Sequence, residues 1–211
     1  MTDVAAPGIV GLTDADVAAL GEGGVIVRDG LLGAAPALGL HRELEALARA
    51  GRLRPAGMSR GASYRVDKDT RGDEIAWLAP DEAPPALGLL CASFAALREA
   101  LNREAYLGLD RTELQLARYP GGGARYRRHR DAFPGRSNRR VTATYYANPQ
   151  WRPDDGGLLR VYLADGSIDV EPVLDRLVVF LSERVEHEVL PSFAPRLAVT
   201  AWFYGRDALP L

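Results

Sequence analysis

From Thr112 onward the chain alternates short runs rich in β-branched and aromatic residues with turn-forming segments, and this pattern constrains the fold most strongly. The runs are TELQLARY, ARYRRHRD, RRVTATYYA, GGLLRVYLA, DRLVVFLS, HEVLPSF and RLAVTAWFYG. Between them stand PGGG, FPGRSN, NPQWRPDDGG and ADGS, whose residues favour turns. Seven or eight short strands over about 95 residues predict an antiparallel sandwich or barrel, with the jelly roll (double-stranded β-helix) a strong candidate.

The part of the chain before residue 112 has mostly helical periodicity. Apolar residues recur at helical spacing over 37–48, and a second helical pattern runs over about 86–104. A short strand at 25–28 precedes the first of these helices. The predicted fold class is therefore an all-β, antiparallel core with packed N-terminal α-helices, α+β overall.

Composition limits the classes of protein to which the chain can belong. Of its 211 residues, 47% are hydrophobic and 26% charged, as in ordinary globular proteins. We expect one domain over 1–211, in which 1–111 is mainly helical support and 112–206 is the jelly-roll core. The net charge of -2 gives no general attraction to nucleic acid or to a membrane surface. We therefore expect no nucleic-acid or membrane partner. The single cysteine, Cys91, fits a reducing compartment, so we expect a cytoplasmic protein.

Two of the three histidines occur in a pattern that suits a metal. His129 and Asp131 are two residues apart in a predicted strand, so their side chains should point to the same face. His187 starts another predicted strand, which a jelly roll could bring alongside. Two histidines and one carboxylate suit a non-haem Fe(II) centre, and these three residues are the predicted metal ligands and catalytic centre. His41 lies on the flank of an amphipathic helix, where we expect contact with solvent.

Two arginines extend this hypothesis. Arg196 follows on the final strand, and its planar guanidinium matches a carboxylate in bidentate fashion, as the distal carboxylate of 2-oxoglutarate would require. By strand alternation Arg127 should share the face of His129 and Asp131. Arg127 is therefore predicted to point towards the site entrance and to favour an acidic peptide segment of the substrate.

Longer motifs carry a family resemblance. The segments ARYPGGGARYRRHRDAFPG, RRVTATYYANPQW, DDGGLLRVY, VEPVLDRLVVFLSERVEHEVLPSF and PRLAVTAWFYGRD resemble the hypoxia-inducible-factor type of prolyl 4-hydroxylase, in its bacterial branch. The resemblance is strongest over 112–206 and reaches back to about residue 57. It implies a 2-oxoglutarate-dependent dioxygenase that uses Fe(II), 2-oxoglutarate and O2, with L-ascorbate as reductant. The implied partner is a protein carrying a target proline, with elongation factor Tu as the first candidate.

The resemblance also implies roles for single residues. Around Arg196 it implies a cosubstrate pocket in which Tyr146 hydrogen-bonds the distal carboxylate and Tyr119, Thr200 and Leu159 line the walls. Trp202 would lie near the substrate proline. Residues 57–74 would form a loop that covers the substrate, with Arg71, Gly72 and Asp73 as its far anchor.

Other functions are compatible with parts of the pattern. A 2-oxoglutarate oxygenase could keep the metal triad and hydroxylate a free amino acid or a small molecule. The triad could instead hold zinc in a hydrolase or in a cupin-like metal-binding protein, although zinc sites are usually tetrahedral and this reading leaves Arg196 and Tyr146 without a task. An inactive binding module is the third alternative.

Overall fold

The computed structural model describes residues 11–57, 67, 69–133, 135 and 137–206. Its helices are α1 (Asp14–Gly21), α2 (Ala34–Arg49) and α3 (Pro85–Glu104). Its strands are β1 (Val25–Asp29), β2 (Arg54–Pro55), β3 (Glu74–Leu78), β4 (Leu109–Tyr119), β5 (Ala124–His129), β6 (Arg139–Tyr146), β7 (Leu159–Leu163), β8 (Gly166–Val170), β9 (Arg176–Leu181), β10 (Glu186–Ser192) and β11 (Arg196–Gly205).

The strands form two antiparallel sheets. The major sheet has seven strands in the order β1-β9-β6-β11-β4-β3-β2, and the minor sheet has four in the order β5-β10-β7-β8. Together they make the double-stranded β-helix that the sequence predicts, and α2 and α3 pack on the major sheet. The predicted fold class is thus confirmed.

Strand alternation divides the major sheet between two hydrophobic cores. On β6, Val141, Ala143 and Tyr145 face the helices, where they pack in a core with Leu40, Leu44 and Phe94 of α2 and α3. The intervening residues of β6 and β11 face the minor sheet, where Tyr146 and Ala198 join a second core. Each central strand therefore has one face that binds the helices and one face turned to the space between the sheets.

Two carboxylates, the buried Asp175 and the partly buried Glu43, fix the two long helices. Asp175 accepts hydrogen bonds from the backbone N–H of Leu32 and Gly33, both at 2.8 Å, just before α2 begins. Glu43 of α2 accepts from the backbone N–H of Ala86 and Leu87 at the start of α3. These bonds satisfy amides that no helical carbonyl can reach, and they tie α2 to both the sheet and α3.

Some elements differ from the sequence prediction. β3 (Glu74–Leu78) is a strand of the major sheet in a region predicted to be mainly helical. β8 (Gly166–Val170) begins inside the predicted ADGS turn; it is an exposed edge strand, so its side chains lack a core-facing pattern. Most of the predicted loop 57–74 lies outside the described residues. No helix in the described ranges is long and apolar enough to cross a membrane.

Candidate active site

The three predicted metal ligands converge between the two sheets. Nε2 of His129 lies 3.6 Å from Oδ1 of Asp131, and Nε2 of His187 lies 3.8 Å from Oδ2 of the same carboxylate. The three potential ligand atoms all lie within 4.8 Å of one another. The pairing of His187 with His129 across β10 and β5 sets this approach. Two imidazoles and one carboxylate at these distances fit the ligand set of Fe(II).

Backbone carbonyls orient both rings. Nδ1 of His129 lies 2.8 Å from the carbonyl oxygen of Arg127, and Nδ1 of His187 lies 3.3 Å from that of Val185. A proton on Nδ1, donated to that carbonyl oxygen, leaves the electron pair of Nε2 to face the site. Burial, together with the neighbouring His129, lowers the pKa of His187 to about 4, so this ring is neutral at pH 7.

Asp131 is ionised in the same surroundings. Burial alone would raise its pKa, but the adjacent His187 and His129 outweigh burial and hold the pKa of this carboxyl well below its ordinary value. The carboxylate also accepts a hydrogen bond of 2.7 Å from Oγ1 of Thr142. The site therefore holds the neutral imidazole of His187 beside an ionised carboxylate, the protonation states that metal binding requires of these two ligands.

A β-bulge changes which residues of β5 face the site. His187 pairs with His129, but Val189, two residues on, pairs with Tyr126. Tyr126 therefore lies on the ligand face, with its ring stacked on His129 at a centroid distance of 3.6 Å. The prediction that Arg127 shares this face is wrong, because the bulge breaks the alternation on which it depended. Arg127 is exposed, and its Nε donates to the carbonyl oxygen of Asp69 at 3.1 Å.

The arginine predicted to hold the cosubstrate lies in the same cavity. Arg196 is only 2% exposed, and its guanidinium carbon lies 4.9 Å from the ring centroids of both Tyr119 and Tyr146. Its Nε donates to the carbonyl oxygen of Gly157 at 2.8 Å, and no carboxylate of the described residues pairs with it. A buried cation without a counter-ion is costly, so this guanidinium is suited to bind a carboxylate from solution.

Two further features fit the cavity to an anion. The Tyr146 hydroxyl is buried and has no hydrogen-bond partner among the described residues, so a donor is available beside Arg196. Gly157 has a positive φ, and a Cβ there would lie 3.1 Å from Cδ of Arg196 and 2.8 Å from Oγ of Ser192. Only glycine allows the backbone to approach the arginine so closely.

The remaining predicted residues lie around this cavity. Thr200 lines it and its hydroxyl lies 3.1 Å from that of Thr144, while Leu159 contributes an apolar wall. Trp202 lines the side towards Trp77, whose ring centroid is 5.8 Å away and whose side chain is about half exposed. The indole Nε1 of Trp202 is buried and makes no hydrogen bond of ordinary geometry in the described part of the chain, although it lies near enough to Asp131 to help lower the pKa of that carboxyl.

The segment before β3 is attached to the site. Arg71 forms two hydrogen bonds to the buried carboxylate of Asp73, at 2.8 and 3.0 Å, and its guanidinium carbon lies 4.5 Å from the centroid of Tyr126. The backbone of Gly72 donates to the carbonyl oxygen of Arg125. Arg71 and Asp73 thus lie at the cavity wall. Their role as a loop anchor stays a prediction, because 58–66 and 68 lie outside the described residues.

Sequence reasoning missed several residues around the site. Tyr126, Gln115 and Phe180 line the cavity. Asn148 bonds both backbone groups of Leu197, next to Arg196, at 2.6 and 3.0 Å. Strand alternation on β4 and β9 could have indicated Gln115 and Phe180, but the bulge made the orientation of Tyr126 unpredictable.

His41, predicted to contact solvent, is half-buried, and its Nδ1 lies 2.8 Å from the Ala147 carbonyl oxygen.

Comparisons with known proteins agree with this geometry. The sequence profile of the 2OG-Fe(II) oxygenase superfamily matches residues 114–204. Human Egl nine homolog 1 is 35% identical over 201 residues, which cover 90% of this chain and 46% of that protein. The chain spans about half the length of the curated relatives it matches.

Two solved structures match over most of their own length. A Pseudomonas putida prolyl-4-hydroxylase is 40% identical with a TM-score of 0.80, and the match covers 90% of this chain and 98% of that one. A Trichoplax adhaerens prolyl hydroxylase, in complex with a hypoxia-inducible-factor peptide fragment, is 32% identical with a TM-score of 0.82 over 89% and 86% of the two chains.

The chain therefore belongs to the 2OG-Fe(II) oxygenase superfamily. Proteins similar to it include human prolyl hydroxylase EGLN3, 34% identical over 165 residues, and the Pseudomonas putida prolyl-4-hydroxylase. Membership implies Fe(II), 2-oxoglutarate and O2, and the triad of His129, Asp131 and His187 fits the metal in this set.

Proposed function

We propose that the chain is an Fe(II)- and 2-oxoglutarate-dependent peptidyl-prolyl 4-hydroxylase that acts on a protein. His129, Asp131 and His187 hold the iron, and Arg196 with Tyr146 holds the distal carboxylate of 2-oxoglutarate. The observation that carries the proposal is the meeting of a three-ligand metal set and an unpaired buried arginine in one cavity. Similarity to prolyl hydroxylases over about nine-tenths of the chain supports it.

The chemistry belongs to the bound metal and its cosubstrates, and the protein places them. Fe(II) with 2-oxoglutarate and O2 supplies the insertion of one oxygen atom into a C–H bond at C4 of proline, while the second oxygen enters succinate and CO2 is released. His129 and His187 present their Nε2 atoms to the metal. Arg196 and Tyr146 fix the far end of 2-oxoglutarate, and Tyr119 and Thr200 line its flanks. Leu159 contributes an apolar wall that keeps water from the reacting atoms.

We also propose a protein as the substrate, with elongation factor Tu as the first candidate. Trp202 would contact the target proline, and Arg71 and Asp73 would anchor the 57–74 segment over it. A protein substrate is supported by the similar Trichoplax adhaerens prolyl hydroxylase, which is in complex with a peptide fragment of a protein. The same proposal includes four further points: a single domain, a cytoplasmic location, L-ascorbate as reductant, and no nucleic-acid or membrane partner.

Arg127 is proposed to contact the protein substrate outside the cavity. Although it lies off the ligand face, it is exposed beside the attachment of the 57–74 segment, where it could meet an acidic stretch of the substrate. An Arg127→Glu variant should raise the KM for such a peptide; an unchanged KM would rule out this contact.

The test begins with anaerobic reconstitution with Fe(II), followed by measurement of succinate formed from 2-oxoglutarate in air, with ascorbate. Parallel reactions contain recombinant elongation factor Tu, an unrelated protein of similar size, or no protein. We expect succinate to rise with the factor alone, together with a gain of about 16 Da on one of its prolines. The His187→Ala variant provides the inactive control.

The other outcomes separate the alternatives. Succinate that does not respond to the factor would retain the oxygenase and reject this substrate, so that other proteins, free proline and small molecules would be tested next. A protein that binds Zn(II) but forms no succinate with Fe(II) would indicate the hydrolase or cupin-like class. A protein that binds no divalent metal would overturn the proposal.

A further inference from the structure

Asp131 lies after the end of β5, outside the hydrogen-bonded minor sheet. β5 ends at His129, and the residues that follow are not part of a strand. The sheet therefore fixes the two histidines through the pairing of β5 with β10, but it does not fix the carboxylate. Something else must set the position of Asp131, since a metal centre needs its ligands held to within a fraction of an ångström.

Two buried hydroxyl groups contact this carboxylate in series. Oγ1 of Thr142, on β6, lies 2.7 Å from Oδ2 of Asp131, and Oγ of Ser182, just after β9, lies 2.9 Å from Oγ1 of Thr142. Thr142 is 1% exposed and Ser182 is fully buried. Because water has almost no access to either hydroxyl, the hydrogen bonds between them lack competition from solvent.

The direction of these hydrogen bonds follows from proton counting. An ionised carboxylate can only accept, and a threonine hydroxyl has one proton to donate. Thr142 must therefore donate to Asp131 and accept from Ser182. The series runs one way, from Ser182 to Thr142 to Asp131, and it ends on the metal ligand.

The backbone holds the donors in register with the ligand. The N–H of Ser182 donates to the carbonyl oxygen of Arg140 at 3.0 Å, which fixes Ser182 against β6. The carbonyl oxygen of Ser182 accepts from the N–H of Ala132 at 3.3 Å, next to Asp131 in the chain. Ser182 thus contacts the ligand segment twice, through its own carbonyl and through the Thr142 hydroxyl.

We propose that Ser182 and Thr142 are positioning residues that set the orientation of the Asp131 carboxylate for the metal. The inference rests on the proposed metal site but not on the identity of the substrate. Neither Thr142 nor Ser182 is among the described residues that line the cavity. Loss of groups that orient a metal ligand typically weakens metal affinity by about 10–100-fold.

The test measures binding of Mn(II) alone to the full chain, by electron paramagnetic resonance of the free ion, so that neither catalysis nor 2-oxoglutarate enters the readout. Thr142→Val keeps the shape of the side chain and removes the donor; we expect Mn(II) affinity to fall by about 10–100-fold. Thr142→Ser keeps the donor and should restore most of the affinity. Ser93→Ala is the matched control, because it removes another buried hydroxyl, which donates to Leu89 in α3.

A double-mutant cycle tests the series itself. Ser182→Ala should weaken Mn(II) binding less than Thr142→Val, because Thr142 can still donate to Asp131. The double variant should bind no more weakly than Thr142→Val, since Ser182 acts only through that residue. Wild-type affinity in Thr142→Val, or additive losses in the double variant, would overturn the proposal. Melting temperatures of the metal-free variants separate weakened binding from unfolding, and wild-type Mn(II) binding without hydroxylation would reject only the proposed function.

Discussion

Replacement of Arg196 by methionine tests the proposed cosubstrate site most directly. Methionine fills a similar volume without charge, in a position that is 2% exposed and lies between two tyrosine rings. Removal of one partner of a buried, hydrogen-bonded charge pair costs about 2–5 kcal/mol of binding free energy. The dissociation constant for 2-oxoglutarate should therefore rise by at least about 30-fold.

The assay compares melting temperatures in saturating Mn(II), with and without 2-oxoglutarate. A ligand at about 100 times its dissociation constant stabilises the folded chain by about 2.7 kcal/mol. For a chain of this size, that corresponds to an increase in melting temperature of about 5–10 °C. At the same concentration of 2-oxoglutarate, the Arg196→Met variant should gain about 3 °C or less.

The metal-free variant provides a second, less obvious expectation. Because Arg196 has no carboxylate partner in the described part of the chain, its removal relieves an uncompensated buried charge. The melting temperature of the variant without ligands should therefore not fall, and its Mn(II) affinity should be unchanged. The control is Arg160→Met, which removes an arginine paired with Asp169 on the minor sheet. An undiminished 2-oxoglutarate shift in Arg196→Met would refute the assignment.

Three further results are expected. Asp131→Ala and His187→Ala should each abolish tight Mn(II) binding in the same titration; full turnover in either variant would exclude it as a required ligand. Trp202→Phe removes the unpartnered indole N–H, so the KM for a proline-containing peptide should rise while succinate formation without peptide persists; an unchanged KM would make this ring part of the core only. In the metal-free chain, the pKa of His187 is lowered from 6.5 to about 4, so between these pH values the unfolded chain binds a proton that the folded chain does not. Stability without metal should therefore fall as the pH decreases from 6.5 towards 4, a melting-temperature trend that should flatten in His187→Ala; an equal slope in both proteins would contradict this source of pH dependence.

The fold was largely predictable because its strands have strong local signals. The central strands β6 and β11 alternate residues between two hydrophobic cores, and their β-branched and aromatic composition shows this in the sequence. Val25–Asp29 also appears as a short apolar run. β8 did not, because an exposed edge strand with the sequence GSIDV has no core side to impose a pattern.

The candidate site was predictable where its residues follow from strand alternation or from long motifs. Arg196, Thr200 and Trp202 share one face of β11, as a period of two requires. Alternation failed on β5, where an irregular pairing places Tyr126 beside His129 and moves Arg127 away. A bulge depends on how two distant strands pair, and nothing local in the sequence marks it.

The contacts that hold the ligands were beyond sequence reasoning for a different reason. Thr142 and Ser182 are 40 residues apart and meet only because β6 pairs with β9. Hydroxyl groups are common in strands, so neither residue stands out until the register of the sheet is known. Contacts between a metal ligand and the residues that orient it can therefore be identified only from the three-dimensional structure.

The division of the site between the two sheets has a mechanical consequence. His129 and His187 belong to the minor sheet, whereas Arg196 and Tyr146 belong to the major sheet. A 2-oxoglutarate molecule held at one end by the metal and at the other by Arg196 would span the gap and cross-link the two sheets. Without it, the two layers are joined across this gap by the apolar contacts of the second core and by a few hydrogen bonds, such as that from Arg196 to the Gly157 carbonyl oxygen. With 2-oxoglutarate bound, the sheets should separate only after the cosubstrate dissociates. Amide hydrogen exchange in β5 and β10 should therefore slow as the residence time of the cosubstrate increases.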